Sequence, residues 1–279
     1  MLFQFNNFLA YLLVYNKVLN DPNHYKEYYM YRDKKIALVI PCYKVSKIIN
    51  NVVQKVPKFV DNIYLIDDKC PENSVKNIKL KSKRIKKIYR KINGGVGAAV
   101  KDGYKFSLKD KNDITVRVDG DGQMDLKLIK NFINPIVSNK TEFTKGNRFM
   151  NLSFIKKMPP QRILGNIFFS LIGNIISKNY KIFDFLNGYT SIKNSALKKV
   201  IKTKLDDDYY FDTILIYQLI KLKIRISDIQ MTAKYEDEKS NINIFSTGLT
   251  LLFKNIFFFY RFKKLNAIKP FVFNYKFSI

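Results

Sequence analysis

The chain has few of the residues on which many metalloenzymes and hydrolases depend. It contains one histidine, His24, two cysteines, Cys42 and Cys70, and no tryptophan among its 279 residues. A single histidine argues against histidine-based metal centres and Ser-His-Asp triads. The cysteines lack the spacing of a zinc site and imply no disulfide framework, so the sequence fits a reducing, cytoplasmic setting.

Negative charge is also scarce. The chain has 50 basic and 23 acidic residues, which gives a formal net charge of +27. Such an excess is typical of nucleic-acid-binding proteins and of proteins attracted to anionic membranes and substrates. It also occurs in proteins encoded by genomes with a bias toward Lys, Ile and Asn. No nucleic-acid-binding module is evident, so no nucleic-acid partner is expected. The densest basic run, 79–91, is interpreted as a solvated loop or helix face.

Long apolar runs are missing as well. The first run, Phe8–Tyr15, is too short to cross a bilayer and lacks the basic start and cleavage site of a signal peptide. It is predicted to form a short helix that packs on the domain or touches a membrane. Two later stretches, 163–177 and 245–260, are broken by polar residues or by Lys254. Each is interpreted as a helix at a membrane interface or a helix packed against protein.

Apolar residues nevertheless make up 47% of the chain, which is enough for a core. Apolar runs of strand length at 36–40, 62–66 and 114–118, and a weaker one at 85–89, alternate with helical patterns such as 47–55. This order predicts an α/β domain with a mostly parallel central sheet flanked by helices, which binds ligands beyond the carboxyl ends of the strands. Polar residues at those ends are expected to share one cleft: Tyr43, Asp67, Asp68, Asn93, Asp119 and Asp121.

The chain is organised around Asp119-Gly120-Asp121-Gly122, which follows the β-branched run 114–118. Two carboxylates one residue apart, at a strand end where glycine lets the backbone turn, can converge on one hard cation such as Mg²⁺ or Mn²⁺. A calcium loop would need further oxygen ligands, which the following residues do not supply, and an ordinary turn is the other interpretation. The glycines Gly95, Gly97 and Gly103 do not match a dinucleotide fingerprint after the first strand.

Eight motifs follow one another in the order and spacing of a known family. They are Val39-Ile40-Pro41-Cys42-Tyr43, Ile66-Asp67-Asp68, Asn93-x-Gly95-x-Gly97-x-Ala99-x-x-x-Gly103, Asp119-x-Asp121, Lys145-Gly146-Asn147-Arg148-Phe149, Asp184-x-x-Asn187-Gly188-Tyr189, Tyr210-Phe211-Asp212 and Tyr235-Glu236-Asp237-Glu238-Lys239-Ser240. In these motifs the chain resembles family 2 glycosyltransferases of GT-A (nucleotide-diphospho-sugar transferase) fold. It resembles the dolichyl-phosphate mannose synthase-like branch and related bacterial enzymes of surface-polysaccharide assembly. The resemblance covers roughly residues 35–245.

The resemblance implies a site for a nucleotide-diphosphate sugar. Its donor-binding residues would be Pro41, Tyr43, Asp67, Asp68, Asn93, Gly97, Asp119 and Gln123. Pro41 and Tyr43 would line the pocket for the base, and Asp67 would hydrogen-bond the base or the ribose. Asp119 would also act in catalysis on the sugar side, and Asp121 would bind the Mg²⁺ or Mn²⁺ that bridges the donor diphosphate.

The same resemblance implies an acceptor side of the cleft. Its residues would be Arg148, Asp184, Asn187, Gly188, Tyr189 and Glu238. Arg148 would contact phosphate or acceptor, with a surface or structural arginine as the alternative. Asp212 is expected to be the general base, although its place at the start of an apolar helix equally fits favourable charge at a helix N-terminus.

Two departures from the family pattern matter. The loop after the first strand reads Tyr43-Lys44-Val45 where the family usually has Tyr-Asn-Glu. A carboxylate is therefore missing from this loop. For this reason the resemblance does not indicate which nucleotide the sugar donor carries. The second acidic motif continues with Lys69-Cys70-Pro71 in place of Gly-Ser. These departures motivate the alternative function, a catalytically silent membrane-associated scaffold that keeps the fold.

The expected protein is a metal-dependent inverting glycosyltransferase with a membrane-associated acceptor, either a polyprenyl phosphate or a lipid-linked or surface glycan. It would work at the cytoplasmic face of a membrane through peripheral contact. A nucleotidyltransferase, which would share the sheet, is a further possibility. Three parts are expected: an N-terminal extension at 1–34, the GT-A domain at 35–245, and an amphipathic, basic C-terminal segment at 246–279.

Overall fold

The computed structural model describes residues 31, 33–151, 155, 158–177, 179, 182–232 and 254. Its strands are β1 (Ile36–Cys42), β2 (Asn62–Asp67), β3 (Ile85–Tyr89), β4 (Ile114–Arg117), β5 (Phe143–Asn147), β6 (Thr190–Lys193) and β7 (Ile226–Gln230). Its α-helices are α1 (Ile49–Gln54), α2 (Val96–Lys109), α3 (Ile129–Val137), α4 (Pro160–Ser177), α5 (Asn194–Val200) and α6 (Phe211–Lys221).

The strands form one seven-stranded sheet in the order β3-β2-β1-β4-β6-β5-β7. β6 is antiparallel to β4 and β5, and the other neighbours are parallel. The chain runs outward from β1 to β3 and then returns to the other side of β1 to enter β4. The carboxyl ends of β1 and β4 therefore meet where the strand order reverses, which is where open α/β sheets bind ligands. The predicted α/β class with a mostly parallel sheet is confirmed.

Apolar clusters cover both faces of this sheet. In β1, Ala37 and Val39 join a cluster with α2, α5 and α6, whereas Ile36, Leu38 and Ile40 join a second cluster with α1 and α3. Burial on both faces explains why β1 reads as a continuous apolar run rather than an alternating one.

The boundaries of the first strand differ from the prediction. The sequence places its end at Pro41, but β1 continues to Cys42 and pairs Pro41 with Ile66 of β2. Proline is tolerated there because β4, on the other side, ends opposite Val39 and requires no donor from position 41. The strand predicted at 85–89 is confirmed.

That same strand corrects the interpretation of the basic run 79–91 as a loop or helix face. β3 lies within the run and forms one edge of the sheet, with Lys86 and Lys87 on it. Lysines on an edge strand discourage pairing with another chain, which explains their presence in a strand.

Several predicted segments lie outside the described residues. They are the run Phe8–Tyr15, the stretch 245–260 except Lys254, and Glu238. The three-part division of the chain therefore stays a prediction. Within the described parts, no helix combines the length and the apolar character needed to cross a membrane.

Candidate donor and acceptor site

The acidic turn follows β4 directly, at the carboxyl end of the sheet. Gly122 has φ +76°, a left-handed conformation that favours glycine, and the Asp121 carboxylate accepts a hydrogen bond from the backbone N–H of Gln123 at 3.0 Å. The Asp119 side chain is about one-third exposed. The turn thus presents both carboxylates at the reversal point of the sheet, as the sequence predicts.

The carboxylate oxygens at this turn fit a divalent cation that is also bound by a substrate. Mg²⁺ is usually held by one or two carboxylates together with water and substrate phosphates. Asp119 and Asp121 are the residues that would hold such an ion beside a donor diphosphate. Within the described residues, no group of three or more His, Cys, Asp or Glu side chains has the arrangement of a metal site.

A buried guanidinium, which the sequence did not single out, lies behind the turn. Arg117 is 2% exposed, donates from Nη2 to Asp119 at 3.1 Å, and donates from Nη1 to Asp212. Burial alone would lower the pKa of Arg117, but the two carboxylates outweigh it and the pKa is raised, so the guanidinium is charged. The available signal was a single charged residue in an otherwise apolar, buried strand.

Asp212 lies in the first turn of α6, where the sequence predicts a helix start. Its side chain is buried, and burial raises its pKa while the charge of Arg117 opposes that rise. The candidate base is thus engaged with a cation, and its catalytic role stays a prediction.

Gly188 brings the acceptor segment onto the same charges. A Cβ atom at this position would lie 2.8 Å from Oδ2 of Asp119 and 2.9 Å from Nη2 of Arg117. Only a residue without a side chain allows this approach, so donor and acceptor sides of the cleft meet here.

Asp68 holds the glycine-rich loop. Its carboxylate accepts hydrogen bonds from the backbone N–H groups of Gly94 at 3.0 Å and Gly95 at 2.8 Å, and from the Arg90 guanidinium. Both oxygens are therefore used inside the protein. Asp67 is also buried, and its carboxylate accepts from the backbone N–H of Cys70 at 2.7 Å.

The two departures from the family pattern contact each other. The backbone N–H of Lys44 donates to the Cys70 sulfur at 3.0 Å, and the N–H of Val45 donates to the Ser74 hydroxyl at 3.1 Å. The loop after β1 is thus fastened to the loop after β2 by a thiol and a hydroxyl. It leaves Tyr43 exposed at the strand end, where the base pocket is predicted.

An acidic loop, residues 206–208, packs on the glycine-rich loop. The N–H of Ala98 donates to the carbonyl oxygen of Asp207 at 2.9 Å, and a Cβ atom at Gly97 would lie 2.7 Å from the carbonyl oxygen of Asp206. Gly97 is therefore required by packing, whereas the predicted donor residue Asn93 is exposed. Sequence patterns did not reveal this contact.

On the acceptor side, Asp184 is fully buried and binds Arg148. The guanidinium donates from Nε at 2.7 Å and from Nη2 at 2.6 Å, and Nδ2 of Asn187 donates to the same carboxylate at 3.0 Å. The Arg148 guanidinium is therefore already paired with Asp184 in the protein. Its contact with an acceptor stays a prediction.

Tyr189, which was predicted on the acceptor side, has its ring in the core. The ring is fully buried, stacks on Phe132 with centroids 3.9 Å apart, and its hydroxyl donates to the carbonyl oxygen of Asp125 at 3.2 Å. In this arrangement the ring is closed off from an acceptor, since aromatic packing and a satisfied hydroxyl hold it inside. Glu238 lies outside the described residues.

Helix α4 supports the acceptor segment from behind. The hydroxyl of Ser170 accepts from the backbone N–H of Asp184 at 3.0 Å, and Gly173 lies directly against the Phe185 ring. Its inward face carries four small or polar residues and one apolar residue that are buried: Ser170, Gly173, Asn174, Ser177 and Ile176. Its outward face carries large apolar side chains that are exposed: Leu164, Phe168, Leu171 and Ile175.

Comparison with known proteins agrees with these features. The sequence profile of glycosyl transferase family 2 matches residues 37–201. A protein of Methanococcus voltae named UDP-N-acetylglucosamine–dolichyl-phosphate N-acetylglucosaminyltransferase is 28% identical over 221 residues, which cover 74% of this chain and 88% of that protein. An uncharacterized protein of Methanocaldococcus jannaschii is 26% identical over 225 residues, covering 80% and 91% respectively.

Solved structures share the fold. Glucosyl-3-phosphoglycerate synthase of Mycobacterium tuberculosis, crystallised with Mn²⁺, UDP and phosphoglyceric acid, has a TM-score of 0.62 at 11% identity and covers 82% of this chain and 79% of that one. The same enzyme with Mg²⁺ and UDP has a TM-score of 0.59. The likeness confirms the GT-A architecture. Because the family profile spans more than half of the chain, the resemblance predicted from the motifs is confirmed: this protein is a glycosyltransferase and belongs to glycosyl transferase family 2.

Proposed function

We propose that this glycosyltransferase moves a sugar from a nucleotide-diphosphate sugar to a polyprenyl phosphate in a membrane, with Mg²⁺ or Mn²⁺ and with inversion at the anomeric carbon. The carboxylates of Asp119 and Asp121 support the cation and donor. The name of the Methanococcus voltae relative supports a lipid phosphate acceptor and makes UDP-N-acetylglucosamine the first donor to test.

The observation that carries the membrane-borne acceptor is the exposed apolar face of α4. Helices of soluble domains turn their apolar stripe toward the core. α4 does pack Ile176 into the core, but it also carries large apolar side chains outward that are 49–70% exposed. They follow helical spacing and share one face: Leu164, Phe168, Leu171 and Ile175. Such a face fits the boundary between lipid headgroups and acyl chains.

The inner face of α4 relates this surface to the acceptor. Ser170 and Gly173 fasten the helix to Asp184 and Phe185 of the acceptor segment. Because a helix is about 10 Å across, a bilayer on the outer face would bring lipid phosphates within roughly one helix diameter of that segment. The net charge of +27 favours an anionic surface. The proposed location is the cytoplasmic face of a membrane, which the two free cysteines support.

The proposed chemistry needs no proton acceptor. An oxygen of the lipid phosphate attacks the anomeric carbon from the face opposite the donor diphosphate, while the bond to that diphosphate breaks and the nucleoside diphosphate leaves with the electron pair. A phosphate monoester is already anionic near neutral pH, unlike a sugar hydroxyl. A bound cation would stabilise the charge that develops on the leaving diphosphate. Arg148, held by Asp184, is the candidate partner of the acceptor phosphate.

The test is transfer from UDP-N-acetylglucosamine, with Mn²⁺, to polyprenyl phosphate in anionic liposomes. Replacing Phe168 and Leu171 together with serine should reduce transfer and liposome binding. The matched control is Ile92→Ser, another exposed apolar side chain, 67% exposed, which lies after β3. Transfer to sugar hydroxyls alone would contradict the proposal. Neither transfer nor donor hydrolysis with any donor or metal would favour the silent scaffold.

A further inference from the structure

Arg117 joins two carboxylates that the sequence assigns to different roles. It donates to Asp119, on the donor side, and to Asp212, the candidate base. The ring of Phe211 lies below the guanidinium, with its centroid 5.7 Å away. Within the described part of the chain, Nε of Arg117 has no hydrogen-bond partner, so the two carboxylates are what hold this cation.

We propose that Arg117 is a positioning residue of the transfer reaction: it fixes the Asp119 carboxylate beside the donor sugar and keeps Asp212 as a fixed counter-ion rather than a proton acceptor. The assignment of Asp212 rests on the proposed phosphate acceptor, whose attack releases no proton. The assignment of Arg117 to Asp119 rests on the contacts alone.

The Arg117 cation is buried. A guanidinium is always charged in proteins, and a buried charge without a partner is strongly destabilising. Arg117 is inside the protein and its two η nitrogens point to different carboxylates. Asp119 and Asp212 therefore share one cation, and removing either one changes how the guanidinium binds the other.

The position of Asp212 argues against proton transfer. A general base must reach the proton of the acceptor with a free oxygen. Asp212 is buried, and its Oδ1 accepts from the Arg117 guanidinium. The other titratable groups whose charges act on this pair are Asp119, Tyr104 and Lys145.

Gly188 provides a way to disturb the arrangement without removing a charge. A Cβ atom there would lie within 3 Å of both Asp119 and Arg117, as described above. Gly188→Ala should therefore displace the Asp119 carboxylate and weaken donor binding, while every ionisable group remains.

The decisive experiment is a double-mutant cycle on Arg117 and Asp212. Arg117→Met should lower the unfolding temperature and reduce kcat by about 100-fold or more, because it leaves the buried carboxylate of Asp212 and the partly exposed carboxylate of Asp119 without their cation. Asp212→Asn should raise the donor KM and cost less than about tenfold in kcat, whereas loss of a true base typically costs about 10²–10⁴-fold. The double variant should be more stable and more active than Arg117→Met alone.

Two measurements separate a failure of this proposal from a failure of the proposed function. Thermal unfolding and calorimetric binding of UDP with Mn²⁺ need no acceptor, so they remain informative if the wild type fails to use polyprenyl phosphate, which would overturn the proposed function alone. If Arg117→Met does not fold, Arg117→Lys and Gly188→Ala replace it in the experiment. Lysine keeps the positive charge but lacks the planar guanidinium that donates to two carboxylates at once. Both should weaken UDP binding.

The control removes another ion pair at the opposite end of the sheet. Lys86 binds Asp110 at 2.5 Å, and Lys86→Met with Asp110→Asn should leave kcat and UDP binding unchanged. A fall in kcat of about 100-fold in Asp212→Asn with unchanged UDP affinity, and a double variant no more active than Arg117→Met, would overturn the role given to Asp212. Unchanged UDP affinity in both Arg117→Lys and Gly188→Ala would overturn the role given to Arg117.

Discussion

The guanidinium of Arg148 donates to the carboxylate of Asp184 through two nitrogens, at 2.7 Å and 2.6 Å, in a pair that is almost entirely buried. This fork-to-carboxylate geometry fixes the orientation of both groups. Asp184 has φ +60°, a left-handed conformation that is uncommon for a residue with a side chain. The ion pair thus holds the turn at Asp184 and fixes the orientation of the Arg148 guanidinium.

Asp184→Asn should destabilise the protein in a pH-dependent way. Burial alone would raise the pKa of Asp184, but Arg148, Lys145 and Asn187 lower it to about 2. A carboxyl whose pKa is lowered by folding stabilises the folded state above its unfolded pKa, and that stability is lost as pH falls toward about 2. Breaking a buried pair costs about 3 kcal/mol at neutral pH.

The measurement is urea denaturation of both proteins at pH 7 and at pH values below 4. The difference in free energy of unfolding should narrow as the pH falls. A matched control is Glu142→Gln, because Glu142 forms a half-exposed pair with Arg225 that is worth less than about 1 kcal/mol. A pH-independent difference for Asp184→Asn would contradict this reasoning.

Asp121→Ala should abolish metal-dependent donor binding and leave the fold intact. The carboxylate lies in an open turn at the sheet end, so its loss leaves no cavity in the core. A ligand at 100 times its dissociation constant stabilises a protein by about 2.7 kcal/mol, which thermal unfolding detects readily. The control is Asp125→Ala, whose carboxylate only caps the next turn by accepting from the N–H of Lys127. Equal shifts with UDP and Mn²⁺ in wild type and Asp121→Ala would remove the metal site from Asp121.

Lys254→Met should loosen the acidic loop that covers the glycine-rich loop. Lys254 is the only charged residue between positions 241 and 260, and its ammonium group binds Asp206 at 3.2 Å and Asp208 at 2.5 Å. Without it, UDP affinity should fall several-fold and proteases should cleave the acidic loop faster. Lys221→Met, at an exposed lysine of α6, is the control. Identical cleavage and affinity in the two variants would show that the Lys254 contact does not support the loop.

Cys70→Val and Cys70→Ser should behave differently. The Cys70 sulfur accepts the Lys44 N–H and lies 3.1 Å from the Ser74 hydroxyl. Serine keeps an acceptor at this position, whereas valine leaves the partly buried N–H of Lys44 without this partner. The donor KM should therefore rise in Cys70→Val and stay near the wild-type value in Cys70→Ser. Equal KM values would mean that this contact does not shape the base pocket.

The sequence predicted the parts of the fold that depend on local burial. β1 is recognisable because both faces of the sheet are covered there, so its side chains form a continuous apolar run. The acidic turn was recognisable because two carboxylates and two glycines are unusual directly after such a strand.

The parts that were missed depend on contacts distant in sequence. Arg117 and Asp212 are 95 residues apart, and the sequence around either residue does not predict its contact with the other. The outward apolar face of α4 was also ambiguous, because an amphipathic pattern gives the two faces but not which of them packs against the domain. Tyr189 shares a motif with residues predicted to face an acceptor, yet its ring stacks on Phe132 in the core.

One measurement tests the central claim most directly: mass analysis of the lipid after incubation of the full chain with UDP-N-acetylglucosamine, Mn²⁺ and liposomes that contain polyprenyl phosphate. The predicted result is a lipid phosphate heavier by one N-acetylhexosamine, formed only with metal and absent in Asp121→Ala. A lipid that stays unmodified with every nucleotide sugar offered, while UDP binding persists, would contradict a lipid phosphate as the acceptor.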